Sequence, residues 1–337
     1  MPDLSFTFWL VLFIIGLALV FDFINGMNDA ANSIATVVST RVLSPRLAVF
    51  WAAFFNFAAI WIFGVKVATT IGKGIVLPEI VTPYLLMAAL IGTIIWSYLA
   101  TYYGMPISIS HSLIGGFCGA AIVKAGWQVI LWGSFKKILL FIVLSPLLGG
   151  LASYLLMVLV VLFFHDKHPG PLDKWFRKLQ LASSAAFSLS HGSNDAQKTA
   201  GIIFALLLAT GYLPKEATVP FWVLLLSYTT IALGTMAGGW KVIQTLGQRL
   251  TKLKPVGGFC AETGAAITLF GTALAGIPVS TTHTITGSIV GVGAIQRLSA
   301  IRWGIAGKVV WAWVLTIPLS AALAGFMYSL FKLFGIQ

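Results

Sequence analysis

Charge is what this chain has least of. Nine of its 337 residues are Asp or Glu, and charged residues of both signs make up 9%, where a soluble domain carries about a quarter. That scarcity excludes an ordinary water-soluble protein. Long polar stretches are missing too: the longest, residues 164–180, has the length of a linker and not of a domain. Cysteine is nearly absent. Cys118 and Cys260 both fall in apolar helical sequence, which excludes a disulfide framework and a thiolate metal site. The first apolar segment, residues 6–23, lacks a basic leader and an A-x-A cleavage site, and so reads as a retained helix rather than a signal peptide.

Apolar sequence fills the chain instead, 58% of it. Segments of about 20 apolar residues, the length that spans a bilayer, recur from end to end. The expectation is an all-α polytopic membrane protein. A net charge of +12 would suggest nucleic acid as the partner of a soluble protein. Here the Lys and Arg lie between apolar segments, where they orient a chain in the lipid bilayer and bind no nucleic acid.

The predicted segments form two series: 5–40, 47–65, 84–103, 107–123 and 138–164, then 181–210, 221–239, 257–275, 279–295 and 309–334. The series also match in sequence. FDFINGMNDA (21–30) aligns without gaps to FSLSHGSNDA (187–196) at a shift of 166, and MPISISHSLIGGFCG (105–119) to IPVSTTHTITGSIVG (277–291) at a shift of 172. Gly64, Lys66 and Gly72 find Gly239, Lys241 and Gly247; Trp132 and Gly133 find Trp303 and Gly304; Pro146 finds Pro318. The chain is a tandem duplication, predicted as a first membrane repeat over 1–164, a short polar cytoplasmic linker over 165–180 and a second repeat over 181–337.

An odd number of crossings per repeat, here five, makes the topology inverted. In that plan broken or re-entrant helices meet near the midplane. With the N-terminus outside, thirteen basic residues fall in cytoplasmic loops against seven in the opposite ones. The excess favours both termini outside a cell membrane of the bacterial inner-membrane type.

NGMNDAAN (25–32) interrupts the first segment. Residues 5–40 as one helix would measure about 54 Å, against a hydrocarbon core of about 30 Å. A break is therefore predicted at Asn25-Gly26, with Asp29 and Asn32 opening the second piece. A carboxylate at membrane depth costs about 2.5 to 3.5 kcal/mol even on lenient scales, which marks it as functional. Asp29 has a twin in Asp195. These two are the best candidates for holding a coupling cation, a metal ion such as Na⁺, or a proton. Asn28, Asn32 and Asn194 supply neutral oxygens beside them. N-capping of the predicted second pieces is the bland alternative.

PISISH (106–111) and its twin PVSTTH (278–283) each set hydroxyls and a histidine ahead of a short Gly-rich helix. Free N–H groups and the positive end of a helix dipole make an anion site. Ser108, Ser110, Ser280, Thr281 and Thr282 are therefore candidate oxyanion ligands, unless they only back-bond or pack. His111 and His283 are candidate proton or anion contacts. Asp22 and Glu262 are the other carboxylates placed within the membrane and join the coupling-ion candidates. Lys198 stands where Asn32 has its twin, and is either a direct ligand of the anion or a counter-ion to Asp195. His191 replaces Asn25, so it cannot share a symmetric role.

With both motif pairs present, the chain resembles the inorganic phosphate transporter (PiT) family. The resemblance rests on GMNDAAN (26–32), GSNDAQK (192–198), PISISH and PVSTTH, and it runs the length of the chain. It implies a symporter that imports orthophosphate with Na⁺ or H⁺, without a cofactor, built from inverted repeats in a homodimer. It further implies that the Asn-Asp motifs ligate cation and phosphate, that the Ser/Thr segments ligate phosphate, and that Glu262 in AETGAA is an acidic position the family uses. Sulfate fits the same donors as an alternative substrate. An ion channel and an intramembrane enzyme are the other classes; in the latter, adjacent Ser110 and His111 would project about 100° apart on a helix, a poor triad.

Overall fold

The computed structural model describes residues 6–62, 68, 76–214, 216–277 and 279–335. The repeat landmarks Gly64, Lys66 and Gly72, and Pro278 of the second Ser/Thr motif, lie outside the described residues. The helices are α1 (Phe6–Ser39), α2 (Pro45–Ala58), α3 (Pro83–Tyr103), α4 (Ile109–Ala125), α5 (Trp132–Phe164), α6 (Pro169–Ala209), α7 (Phe221–Ala237), α8 (Trp240–Gln244), α9 (Pro255–Leu274), α10 (Thr281–Gln296) and α11 (Trp303–Leu333). Prolines 45, 83, 169 and 255 open α2, α3, α6 and α9, where the missing N–H is no loss. Among the described residues the only β pairing is an isolated antiparallel bridge between Val76 and Ile130. The fold is all-α, as expected.

Among the described residues α1, α3, α5 and α11 are long and apolar enough to cross a membrane, and α7 with Trp240–Arg249, bent by 66°, makes a fifth when the pair is taken as one span. The apolar core window of α5 is only 17% buried. Its outward side chains, Leu140, Val143, Leu147 and Leu151, therefore front lipid.

Two expectations are corrected. The predicted breaks at NGMNDAAN and HGSNDAQK are absent: α1 runs unbroken over 34 residues and α6 over 41. Gly26 and Gly192 serve close crossings instead of breaks. A Cβ on Gly26 would lie 2.2 Å from the Ile231 carbonyl of α7, and one on Gly192 would lie 2.4 Å from the Asn56 carbonyl of α2. Asn28, Asn32, Asp29, His191 and Lys198 find partners on other elements, while Asn194 bonds back to Ser190 of its own helix. The excess length of α1 over the bilayer is taken up by tilt or by emergence into water. The second correction concerns the polar stretch 165–180. From Pro169 onward it forms the first turns of α6, with Phe176 and Gln180 buried.

Discontinuity lies elsewhere, at the extended segments that precede α4 and α10 and at Gly238–Gly239 between α7 and α8. The first of these places is the one that PISISH and PVSTTH predict.

The two repeats interlock. α4 of the first packs along α11 of the second, and its twin α10 packs along α5; α1 likewise crosses α7, and α6 crosses α2. Small residues bring the backbones together. A Cβ on Gly119 would fall 2.1 Å from the Ala321 carbonyl, and one on its twin Gly291 would fall 2.2 Å from the Gly150 carbonyl. The same contact is thus made twice, once in each repeat. Pro146 and Pro318 sit inside α5 and α11, where each lacks the N–H that would bond four residues back.

Candidate functional site

The first turns of α4 and α10 meet near the centre of the bundle. Ser108 caps α4 with φ −88° and ψ 107°, and Ser280 caps α10 with φ −85° and ψ 114°. The Ser108 hydroxyl oxygen accepts from the His111 N–H at 3.2 Å, and that of Ser280 from the His283 N–H at 3.1 Å. Capping thus falls to the two serines. Asp29 and Asp195, in mid-helix, do not cap. A helix start leaves four N–H groups without intrahelical acceptors. With His111, Ser112, His283 and Thr284 bonded to the caps, those of Ile109, Ser110, Thr281 and Thr282 remain.

Asp29 faces the start of α10. Thr281 Oγ1 donates to Asp29 Oδ2 and Thr282 Oγ1 to Asp29 Oδ1, each at 3.2 Å. The Asn32 amide donates to the same hydroxyls, at 3.4 Å to Thr281 and 2.9 Å to Thr282. Carboxylate and hydroxyl oxygens so gathered are the donor set of a hard cation.

Asp195 faces the start of α4 through Lys198. The Lys198 ammonium donates to Asp195 Oδ1 and Ser110 Oγ, with the Val279 carbonyl at 3.4 Å. His191 joins the two clusters. Its Nε2 lies 3.3 Å from Asp195 Oδ2 and 3.6 Å from Asp29 Oδ2, while Nδ1 donates to Asn56 Oδ1 at 3.1 Å. Asp29, His191 and Asp195 lie close enough to ligate one metal ion, their ligand atoms all within 4.8 Å of one another.

His111 and His283 stand edge to face, ring centroids 4.8 Å apart. His283 stacks on Trp313 at 3.8 Å and donates from Nδ1 to the Ile142 carbonyl at 3.3 Å. Ile142 is four residues before Pro146, so its carbonyl is the one the proline leaves unpaired. Trp313 in turn donates to the Pro106 carbonyl at 3.0 Å. The histidine is thereby locked to α5 and α11 behind the helix starts.

Not every candidate joins this centre. The Asn28 amide donates to Thr101 Oγ1 at 2.8 Å and reaches the Met105 carbonyl at 3.5 Å, while that of Asn194 donates back to Ser190 of its own helix at 2.9 Å. The twin asparagines thus have different partners, and both side-chain oxygens lack a hydrogen-bond partner among the described residues. Asp22 and Glu262 form separate layers. Residues seven apart share a helix face about 10 Å from one another, which sets Asp22, Asp29 and Thr36 in one stripe along α1. Asp22 accepts from Thr199 at 2.8 Å. At the other end Glu262 accepts from Thr36 and Ser183 at 2.5 Å each and from the Gln180 amide at 3.1 Å. Every candidate side chain is at most 6% exposed, so the polar column is closed off from both surfaces.

Sequence reasoning missed His191, Gln180 and Ser183. His191 lies one turn before Asp195, on the same face, a signal set aside because His191 breaks the repeat symmetry. Gln180 and Ser183 fell beside a presumed linker boundary, and only their helical spacing tied them to the membrane.

The comparisons agree with this architecture. The phosphate transporter family matches residues 25–324. A "probable low-affinity inorganic phosphate transporter" of Rhizobium meliloti is 52% identical, over 97% of this chain and 98% of its own length. One of the same description from Bacillus subtilis is 41% identical, over 96% and 98%. A solved structure described as the sodium-dependent phosphate transporter superposes with a TM-score of 0.89 at 30% identity, covering 96% of this chain and 99% of that one. On its motifs, its fold and these matches, the chain belongs to the phosphate transporter family.

Proposed function

We propose that this secondary transporter imports orthophosphate with Na⁺ as the coupling ion, binding both between the first turns of α4 and α10. The observation that carries this reading is the convergence of two helix starts on two buried carboxylates: Asp29 with Thr281 and Thr282, and Asp195 with Lys198 and Ser110. Helix starts attract an anion and carboxylates attract a cation, so each ligand lowers the charge penalty of the other. Asp29, Asn32, Thr281 and Thr282 are the Na⁺ ligands. The remaining N–H groups of Ile109, Ser110, Thr281 and Thr282, with the Ser110 hydroxyl, take the phosphate oxygens, Lys198 stands beside them as the counter-ion of Asp195, and His111 and His283 back them. The likeness to a sodium-dependent phosphate transporter supports Na⁺ over H⁺.

Coupling is required energetically. Each negative charge brought into a cell loses about 2.3 kcal/mol per 100 mV, and each cation recovers as much. Opening of the closed column to one side and then the other follows as the repeats rock against each other. The repeats span 1–164 and 181–337, Asp22 and Glu262 stand along the cation route, and both termini lie outside a bacterial-type inner membrane. Family resemblance supports a homodimer, and the basic-residue distribution supports the orientation.

The test is labelled phosphate uptake into proteoliposomes with Na⁺ and pH gradients imposed separately. Uptake follows the Na⁺ gradient and falls below about a tenth in Asp29→Asn and Asp195→Asn, since bonds to a charged group count for about 1.5 to 3 kcal/mol. Undiminished Na⁺-driven uptake in both variants would refute the assignment.

A further inference from the structure

The two acidic motifs share Asn-Asp and part at the residue three beyond the aspartate, Asn32 in the first and Lys198 in the second. The repeat pairs Asp29 with Asp195, Thr282 with Ser110, and Asn32 with Lys198. Around Asp29 two threonine hydroxyls close on the carboxylate and accept in turn from the Asn32 amide. Around Asp195 the corresponding space holds an ammonium group. Lys198 Nζ meets Asp195 Oδ1, Ser110 Oγ and, at 3.4 Å, the Val279 carbonyl.

A carboxylate, a hydroxyl and a backbone carbonyl are the oxygens that a hard cation collects. An ammonium has donors and no acceptor, so it satisfies those oxygens as a bound cation does. Lys198 is 1% exposed and among the largest fully buried side chains, with its charge delivered to this one spot. His191 is shared by the two carboxylates, its Nε2 facing both.

We infer that Lys198 is a tethered cation that permanently fills the second of two repeat-related coupling-ion sites. The protein therefore moves one cation fewer per phosphate than a transporter with Asn in both motifs. The inference rests on the proposed reading of Asp29 as a cation ligand. A side chain anchored in α6 neutralises Asp195 but carries no net charge across the membrane. Each phosphate accordingly crosses with one positive charge less, and uptake draws less on the membrane potential.

The experiment uses the full-length protein in proteoliposomes with Na⁺ as the probe cation. It compares the Hill coefficient for Na⁺ and the charge moved per phosphate, from reversal potentials, in wild type and in Lys198→Asn. Both rise by about one in the variant, because a vacated site takes a mobile ion. A salt bridge with only a structural role leaves both unchanged, and that result overturns the inference. The reverse change, Asn32→Lys, decides the matter if Lys198→Asn fails to fold. It tethers a cation at the remaining site, so Na⁺ stimulation disappears while phosphate still binds to the purified protein; persisting Na⁺ stimulation overturns the inference. Should wild-type uptake ignore Na⁺ and follow pH alone, sodium coupling falls as a reading. The tethered cation is then judged by whether Lys198→Asn gains Na⁺-stimulated uptake.

Discussion

Asp29 accepts hydrogen bonds from two hydroxyls, and Asp195 from an ammonium. Hydroxyls can turn their lone pairs to an incoming cation, whereas an ammonium cannot. In the proposed reading Thr281 and Thr282 serve two ligands, offering oxygens to Na⁺ and N–H groups to phosphate. Replacing the hydroxyl alone separates these roles. Thr282→Ala raises the Na⁺ concentration for half-maximal uptake by about tenfold, the scale of one lost bond to a charged group, and leaves the phosphate KM at saturating Na⁺ much less affected. Paired Na⁺ and phosphate titrations of uptake check this, and a larger change in the phosphate KM than in Na⁺ dependence contradicts it. At this scale the charged candidates were legible from the sequence alone, because a carboxylate such as Asp29 or Glu262 is too costly in lipid to be there without a purpose. The partners were not legible. Nothing in the local sequence says that Asn28 turns to Thr101 and Asn32 to Thr282, four residues further on. That division is made by helices 73 and 250 residues away in the chain.

Helices decide which of these side chains meet. α4 and α10 are short, start on serine caps, and lie along α11 and α5 of the opposite repeat. Gly119 and Gly291 allow backbone contact at those crossings, since a Cβ at either would overlap a backbone carbonyl at 2.1 or 2.2 Å. Gly119→Ala and Gly291→Ala should each destabilise by about 1 to 3 kcal/mol, the range of overpacked cores. Both are read as a lower Tm in detergent, the twins by similar amounts. A neutral effect at both positions would mean that the close crossing is not maintained. The capped starts of α4 and α10 were legible because a proline and hydroxyls precede an apolar stretch too short to span. The continuity of α1 and α6 was not. Asn-Gly beside Asp reads locally as a break, and only the fit of Gly26 against α7 and of Gly192 against α2 shows that glycine is needed there for closeness and not for a turn.

Across the whole molecule, the duplication produces two near-copies of one half-site and then sets them unequal at Lys198 and His191. The fold was legible at this scale because five landmarks recur in one order. The interlocking was hidden, since a repeat in sequence does not say whose α11 packs on whose α4. One polar column, closed to both surfaces, holds the helix starts and the two carboxylates together; the proposed binding of Na⁺ and phosphate there makes each alter the affinity of the other by the same factor. The direct measurement is equilibrium binding of labelled phosphate at several Na⁺ concentrations, and of ²²Na⁺ at several phosphate concentrations, to purified wild type and Asp29→Asn. In wild type each ligand tightens the other by an equal factor, and in Asp29→Asn that mutual factor collapses toward unity. Phosphate affinity indifferent to Na⁺ in the wild type, or mutual tightening fully retained in Asp29→Asn, would contradict a single site shared by cation and anion.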